Sequence, residues 1–328
     1  MNRILARFDV REFSPTGVIP ATLVCFNNDL SIDEAGSRKH ISDVANIPGI
    51  SAITVNGHAS EVGSCTFEEQ ARILDFSLTE VGDRVPIISG VYADGSLEAA
   101  KLAKAWDKAG ASALLVFPSN VFGMGGFQRP EMALEHFKRI ADATDLPLIA
   151  FVYPVQSNLH FTFDGLIQLF DEVPTVKAIK DWCNDPKQHE RHIREFQSRP
   201  HPVNVLTTHS SWLMSSLSLG AAGLLSRTGS VVASLQVALF DAIASGNLYH
   251  ARDINDILYP FQQAFYADPF IDMHNRMKHF LYLRRQFPNS VVRPPLMPLP
   301  PHDVSQLKEL AKIDFDNSRK PQKNKEGL

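Results

Sequence analysis

A lysine at the end of a short apolar run is the residue of this sequence best suited to covalent chemistry. Residues 176–180 indicate a buried strand that ends on Lys180, and Asp181 follows at once. Burial disfavours the charged form of an amine, so a lysine in an apolar place becomes a nucleophile. We therefore expect Lys180 to form an imine with a carbonyl substrate. The alternative that the residues leave open is an ion pair of Lys180 with Asp181 or another carboxylate.

Imine chemistry needs further groups around the amine. A proton shuttle must help water leave, and a substrate carboxylate needs hydrogen-bond donors. Tyr153 ends another apolar run and suits the shuttle, although a core tyrosine with a satisfied hydroxyl would show the same pattern. The backbone N–H groups of the turn at Gly57, His58 and Ala59 suit the carboxylate. These residues predict an active site assembled from several strand ends.

The elements that must position these residues form a regular pattern. From residue 17 onward, short β-rich runs alternate with longer segments of helical period, which is typical of βα units around a parallel sheet. The predicted strands cover residues 18–26, 51–55, 85–91, 113–117, 146–153, 176–180, 203–206 and 223–226. Eight such units predict an α/β fold, a closed (β/α)8 TIM barrel, whose active site lies where the strands end.

The competing fold is a doubly wound nucleotide-binding domain. That fold needs a glycine fingerprint just after an early strand, and no GxGxxG or GxxxxGK[ST] stands at such a turn here. Residues 123–126 are rich in glycine, but they begin several residues past a strand and lack the lysine of a phosphate loop. We interpret them as a mobile loop over the barrel mouth.

The chain divides into four parts: an N-terminal extension over 1–16, the barrel over 17–229, barrel-closing and C-terminal helices over 230–313, and a polar tail over 314–328 that is expected to be disordered. Basic residues are scattered and the net charge is −4, so neither nucleic acid nor a membrane is an expected partner. The 3 cysteines form no CxxC pair, and no signal peptide is apparent. We expect a cytoplasmic protein.

Several segments occur in an order that is specific when taken together: residues 17–33, the turn at 57–61, the pair Tyr153 and Lys180, residues 220–223 and residues 293–296. In that order they resemble the dihydrodipicolinate synthase / N-acetylneuraminate lyase family. The resemblance implies a (β/α)8 barrel and a class I aldolase-type imine between Lys180 and pyruvate or a related 2-oxo acid. It also implies Tyr153 as proton relay, no metal or other cofactor, and a homotetramer or dimer.

The sequence departs from the family pattern where the substrate is chosen. The family turn after the second strand usually carries hydroxyl residues, which His58 and Ala59 replace here. We expect His58 to act as an acid or base in place of the missing hydroxyl, or else only to shape the pocket. The lysine-pathway synthase also has a tyrosine pair after strand four and an arginine after the strand-five tyrosine. Both are absent, so that synthase reaction is not expected.

Other side chains are predicted to bind the remainder of the substrate. Asn120, Gln156 and Asn158 suit a neutral or hydroxylated second substrate. Arg227 follows the eighth strand and is expected to face the distal end of the substrate. Three phenylalanines would leave room for an aromatic substrate: Phe117, Phe122 and Phe127.

Two further clusters are assigned no chemistry. His189 and His192 stand three residues apart, but the segment is polar and no third ligand is nearby, so we interpret it as a solvated helix face and predict no metal site. Ser210 and Ser211 beside His209 lack the strained nucleophile turn of serine hydrolases.

The sequence therefore predicts a lyase of aldolase type that makes or breaks a carbon–carbon bond next to an imine at Lys180. An imine-dependent dehydratase or deaminase of a 2-oxo acid or sugar acid begins from the same intermediate and stays open. A barrel that binds a 2-oxo acid without catalysis is the third interpretation. The presence of both Lys180 and Tyr153 counts against it.

Overall fold

Eight short strands form the centre of the molecule in the computed structural model, which describes residues 13–315. The strands are β1 Gly17–Pro20, β2 Ile53–Val55, β3 Ile87–Val91, β4 Ala113–Val116, β5 Leu148–Val152, β6 Val176–Asp181, β7 Asn204–Thr207 and β8 Gly223–Ser226. The helices are α1 Glu34–Ala45, α2 Phe67–Val81, α3 Ser96–Ala109, α4 Pro130–Ala141, α5 Phe163–Glu172, α6 Pro186–Gln197, α7 Leu213–Ser218, α8 Gly229–Ala244, α9 Leu248–Phe265, α10 Met273–Leu283 and α11 Pro301–Leu310.

The strands pair in parallel in the order β1-β8-β7-β6-β5-β4-β3-β2. Isolated parallel bridges, Val18 to Ile50 and Ala21 to Thr54, join β1 to the β2 side and close the ring. The β1 and β8 backbones approach so closely that a Cβ on Gly223 would lie 2.2 Å from the carbonyl oxygen of Gly17, so only glycine fits there. The predicted (β/α)8 TIM barrel is confirmed.

The first strand is shorter than predicted, because the buried run that follows Pro20 does not pair as a strand. Farther along the run, two backbone groups donate to side chains instead: Leu23 N–H to Ser230 Oγ at 3.0 Å, and Cys25 N–H to Ser37 Oγ at 3.0 Å. Apolar burial is thus continuous over this run, while backbone pairing ends just after Pro20, with Ala21 N–H donating to Ser226 O at 2.9 Å and Thr22 N–H to Thr54 O at 3.0 Å. A hydrophobic run alone does not mark where a strand stops.

Four helices, α8 to α11, follow the last strand, as predicted for the C-terminal part. The tail boundary at residue 314 is wrong by a short margin, because Phe315 is buried and its ring centroid lies 5.1 Å from that of Phe261. Residues 1–12 and 316–328, the rest of the predicted extension and tail, lie outside the described residues. Within the described part of the chain, no helix has the length and apolar character required to cross a membrane.

Candidate active site

Lys180 is buried at the C-terminal end of β6 and faces the barrel interior. Its side chain is 2% exposed, and its Nζ lies 4.2 Å from the centroid of the Phe151 ring on the neighbouring strand. Burial, followed by the charge of Arg227, holds the pKa of Lys180 well below its ordinary value. No carboxylate within residues 13–315 forms an ion pair with this amine or raises its pKa. The lowered pKa of Lys180 favours the neutral form of the amine, which attack on a carbonyl requires.

Asp181 belongs to a different region, on the helix side of the sheet. Its Oδ2 accepts hydrogen bonds from His189 Nδ1 at 2.8 Å and His192 Nδ1 at 2.7 Å, and its Oδ1 accepts the N–H of Cys183 at 2.8 Å. Successive strand residues point to opposite faces, so Asp181 turns away from Lys180. The ion pair between these two neighbours that the sequence left open is not formed.

The prediction that His189 and His192 lie on a solvated face is wrong. Both side chains are completely buried, because residues three apart share the face of α6 that packs on β6. Ligand atoms of Asp181, Cys183 and His189 lie within 4.8 Å of one another, close enough to surround an ion. They are engaged otherwise: His189 bonds to Asp181 and to Ser216 Oγ at 2.6 Å, and burial raises the pKa of the Cys183 thiol. The contacts favour a structural hydrogen-bond network.

Tyr153 and His58 are in direct contact at the barrel mouth. The Tyr153 hydroxyl lies 3.0 Å from His58 Nε2. Burial raises the pKa of Tyr153, whereas burial, with Arg227 and Lys180, lowers the pKa of His58 to about 3. The phenol is thus protonated and the imidazole neutral near neutral pH, so the hydroxyl donates to Nε2. The two rings form a pair through which a proton can move.

Aromatic rings build the wall on which this pair rests. His58 stacks on Phe117 with ring centroids 4.9 Å apart, and the ring centroids of Phe151 and Tyr153 are 4.6 Å apart. Phe122 and Phe127 do not join this wall: they line a separate small pocket beside α4 and α5. Of the three phenylalanines predicted to leave room for an aromatic substrate, only Phe117 therefore borders the candidate site.

The buried carboxylate of Glu61 anchors the turn that follows β2. In the short 3-10 turn at His58–Ser60, Ser60 N–H bonds to Gly57 O and Glu61 N–H bonds to His58 O. The N–H groups of His58 and Ala59 take part in neither bond. Glu61 accepts a hydrogen bond from Lys278 and another from the backbone N–H of Arg293 at 2.9 Å. The C-terminal segment thus holds the turn in place.

Open space lies next to this turn. A Cβ built on Gly57 would meet no atom within 4 Å, and the φ of Gly57 is −99°, which any residue adopts. Neither backbone strain nor packing therefore requires a glycine at this position. The free volume beside the N–H groups of His58 and Ala59 is what a bound carboxylate would need.

The two asparagines predicted to contact substrate differ in how their side chains are used. Asn120 Nδ2 donates to Asp94 Oδ1 at 3.0 Å and to the Tyr92 hydroxyl at 3.3 Å, so its amide group is already engaged at the rim. Asn158 is exposed and has a φ of 57°, a left-handed conformation that asparagine adopts more readily than most residues. Their roles in substrate binding stay predictions.

Arg227 and His274 are two further basic residues near Lys180 and His58. Arg227 follows β8, is 2% exposed, and holds its guanidinium carbon 4.6 Å from the centroid of the Trp182 ring. His274, buried on α10, has a pKa held well below its ordinary value by burial and then by Arg227, His58 and Lys180. Sequence analysis missed His274 and Trp182. Trp182 was visible as the second residue after Lys180, but His274 lies outside the barrel repeat and gave no signal.

Comparison with known proteins agrees with this geometry. The sequence model of the Dihydrodipicolinate synthetase family matches residues 14–314. The chain belongs to this family. Its relatives include two 4-hydroxy-tetrahydrodipicolinate synthases. That of Corynebacterium diphtheriae is 30% identical over 80% of this chain and 82% of its own length. That of Methanopyrus kandleri is 26% identical over 78% of this chain and 83% of its own.

A further member of the dihydrodipicolinate synthetase family is YagE of Escherichia coli K12, to which a 2-dehydro-3-deoxy-D-gluconate aldolase activity is provisionally assigned; it is 26% identical over 90% of this chain and 95% of its own. A crystal structure of YagE in complex with pyruvate superposes with a TM-score of 0.82, at 25% identity, over 90% of this chain and 97% of that one. The predicted family is therefore confirmed. Its members named here are lyases of the aldolase type.

Proposed function

We propose that this chain is an imine-forming lyase of aldolase type, which acts on pyruvate or a related 2-oxo acid through Lys180. The observation that carries the proposal is the buried, unpaired amine at the end of β6, with a lowered pKa. An ammonium group without a carboxylate partner is costly to bury, so a folded protein gains little from it unless the neutral amine reacts. Family membership and the pyruvate complex of YagE support the same chemistry.

The first steps make the imine. The 2-oxo acid places its carboxylate at the N–H groups of His58 and Ala59, beside the free space at Gly57. Lys180 attacks the carbonyl carbon to give a carbinolamine. The Tyr153 hydroxyl, bonded to His58, gives a proton to the departing oxygen, and water leaves. The imidazole stands where the family usually has a hydroxyl residue, and the hydroxyl of Ser60 in the same turn donates to Thr22 O at 2.9 Å. His58 therefore takes the place of the hydroxyl in the proton relay.

The imine then serves as an electron sink. In cleavage of a 4-hydroxy-2-oxo acid, the proton of the 4-hydroxyl passes to the Tyr153–His58 pair, and the electrons of the bond between carbons 3 and 4 move to the iminium nitrogen. An aldehyde leaves, the enamine takes up a proton at carbon 3, and water releases pyruvate from Lys180. No redox partner is needed. Elimination of water or ammonia would begin from the same imine.

Borohydride trapping tests this proposal. The protein is incubated with pyruvate and a panel of other 2-oxo acids, reduced, and analysed by intact mass and peptide mapping. One reduced adduct per chain is expected, and it should disappear in Lys180→Arg. Lys177→Arg is the matched control, because Lys177 lies on the same strand but is exposed.

The outcomes separate the interpretations. No adduct with any acid would refute both the lyase and the dehydratase. An adduct without turnover of any hydroxylated 2-oxo acid would favour the binding protein. Where turnover occurs, product analysis separates the reactions, since cleavage yields pyruvate and an aldehyde whereas elimination keeps the carbon chain whole.

A further inference from the structure

Arg227 is a buried cation whose hydrogen-bonding capacity is only partly used. Its Nη1 lies 3.1 Å from the Sδ of Met273, a weak acceptor. Its Nε and Nη2 are buried and have no hydrogen-bond partner among the residues that the structure describes. An unsatisfied donor in the interior costs free energy, and more so when it is charged. Something outside the described chain is therefore expected to accept these two bonds.

The two unpartnered nitrogens define a shape. Nε and Nη2 lie on one edge of the planar guanidinium, and this edge forms two parallel hydrogen bonds with a carboxylate. Met273 contacts Nη1, and the rings of Trp182 and Phe270 lie 4.6 Å and 5.7 Å from the guanidinium carbon. The aromatic contacts hold the plane of the guanidinium in place. The edge that remains suits a planar anion.

Within the described residues, the positive charge of Arg227 has no matching acid beside it. Arg227 lowers the pKa of Lys180 and of His58, so it lies near the candidate imine site. In the described part of the chain, no carboxylate forms an ion pair with Lys180 or Arg227. This contrasts with Arg276, which is equally buried but donates to Asp303 at 2.8 Å. When the imine at Lys180 is protonated, the site holds two positive charges, the iminium and Arg227, and one substrate carboxylate balances only one of them.

Arg227 also lines a cleft that leads away from the barrel centre. The cleft has a volume of about 570 Å³ and lies between the loops after β6, β7 and β8 and the end of α9. Trp182, Tyr266 and Phe270 contribute aromatic rings to its lining, and its polar residues include Asn184 and Gln262. The acidic residue in the lining of this cleft is Asp268. Its backbone oxygen accepts a hydrogen bond from Arg276, and it makes no bond to Arg227. There is room here for the distal half of a substrate.

We propose that Arg227 binds a second carboxylate of the substrate, so that the acid processed at Lys180 is a 2-oxo acid with another carboxylate at its far end. This inference rests on the proposed function, because it assumes that the 2-oxo group reacts with Lys180. The aldehyde released by cleavage would then itself carry the carboxylate. A terminal phosphate would present the same anionic chemistry with a tetrahedral shape, and it is distinguished below.

The test compares 2-oxo acids that differ only at the far end. Half-saturating concentrations for borohydride trapping are measured for 2-oxoglutarate against 2-oxopentanoate, for 2-oxoadipate against 2-oxohexanoate, and for the corresponding terminal phosphonates. We expect at least one diacid to trap at a concentration on the order of 100-fold lower than its monoacid. In Arg227→Gln this ratio should fall to about 1, and in Arg227→Lys, which keeps the charge but not the fork, it should fall partway.

Pyruvate and a charge-matched variant provide the controls. In Arg252→Gln, which removes an exposed arginine from α9, the half-saturating concentrations of pyruvate and of the longer acids should match those of the wild type. In Arg227→Gln, the half-saturating concentration of pyruvate should change by the same factor as that of the monoacids. Ratios between acids are the readout, because loss of Arg227 also alters the pKa of Lys180 and so affects all acids alike.

Each other result overturns the inference. A diacid preference that is absent in the wild type, or that survives in Arg227→Gln, removes Arg227 from this role. A loss of pyruvate and monoacid trapping in Arg227→Gln that is as large as the loss of diacid trapping means that the arginine holds the carboxylate next to the 2-oxo group. Tighter trapping of phosphonates than of diacids assigns the site to phosphate. Failure of all acids to trap refutes the proposed function instead, so the two failures are distinguishable.

Discussion

Two buried lysines, Lys180 on β6 and Lys278 on α10, have nearly the same exposure and the same aromatic contact but different partners. They are 2% and 1% exposed, and each Nζ lies 4.2 Å from the centroid of a phenylalanine ring. Lys278 donates to the carboxylate of Glu61 and to the backbone oxygen of Val291 at 3.1 Å. Lys180 has no such pair. The difference indicates that the paired lysine stabilises the fold, whereas the unpaired one is available for chemistry.

The largest expected effect comes from removing the unpaired amine. Lys180→Met keeps the length of the side chain but cannot form an imine, so turnover should fall by about 10⁴-fold or more. Because an unpaired amine that is costly to bury is replaced by an apolar side chain, the free energy of unfolding should stay the same or increase. Urea unfolding and a turnover assay measure both. A marked loss of stability would place Lys180 among the structural lysines.

Lys278→Met should show the opposite pattern. It leaves Glu61 buried without its partner, so the free energy of unfolding should decrease by about 3–5 kcal/mol, while trapping at Lys180 persists in the folded fraction. The double variant Lys278→Met with Glu61→Gln removes both charges and should recover part of the loss. If the single variant is as stable as the wild type, the ion pair does not anchor the turn after β2.

The proton relay should have a smaller effect than the nucleophile. Tyr153→Phe is expected to slow turnover about 10²- to 10³-fold, and His58→Ala about 10-fold or more. For His58→Ala, turnover should fall more than trapping does, because the amine remains. Rapid-quench and steady-state assays on the same preparations measure the two effects. Unchanged turnover in His58→Ala would leave this histidine with only a shaping role.

The smallest effect concerns the pH dependence of stability. The folded pKa of Lys180 lies below that of an unfolded lysine, which is about 10.4. Between these two values the unfolded chain binds more protons, so this residue makes the free energy of unfolding increase with pH. The wild type should therefore gain stability relative to Lys180→Met as pH rises through this window, in urea titrations at several pH values. A constant difference would mean that the pKa of Lys180 is not lowered.

A feature of the fold or of the candidate site could be predicted from the sequence when neighbouring residues in the chain determine it. The barrel and the positions of Lys180 and Tyr153 follow from the sequence, because strand ends of a parallel barrel meet at one mouth and each strand is marked by its own residues. The contact between His58 and Tyr153 joins residues 95 positions apart, and only the closed barrel reveals it.

The sequence did not show which side chains on different helices and strands form hydrogen bonds with one another. His189 and His192 stand in a polar segment, and their burial depends on a carboxylate one residue past Lys180 on a different element. The unpartnered edge of Arg227 is likewise a property of everything that packs around it. Hydropathy patterns describe which face of a helix is apolar, but they do not count hydrogen bonds.

The most direct measurement is the distribution of a reduced pyruvate adduct between the two buried lysines. After borohydride reduction, peptide mapping quantifies modification at Lys180 and at Lys278 in the same sample. The adduct is expected on Lys180 alone, since its amine has a pKa well below the ordinary value and has no carboxylate partner. Modification of Lys278 or another lysine at a comparable level, or an undiminished adduct in Lys180→Met, would contradict the assignment.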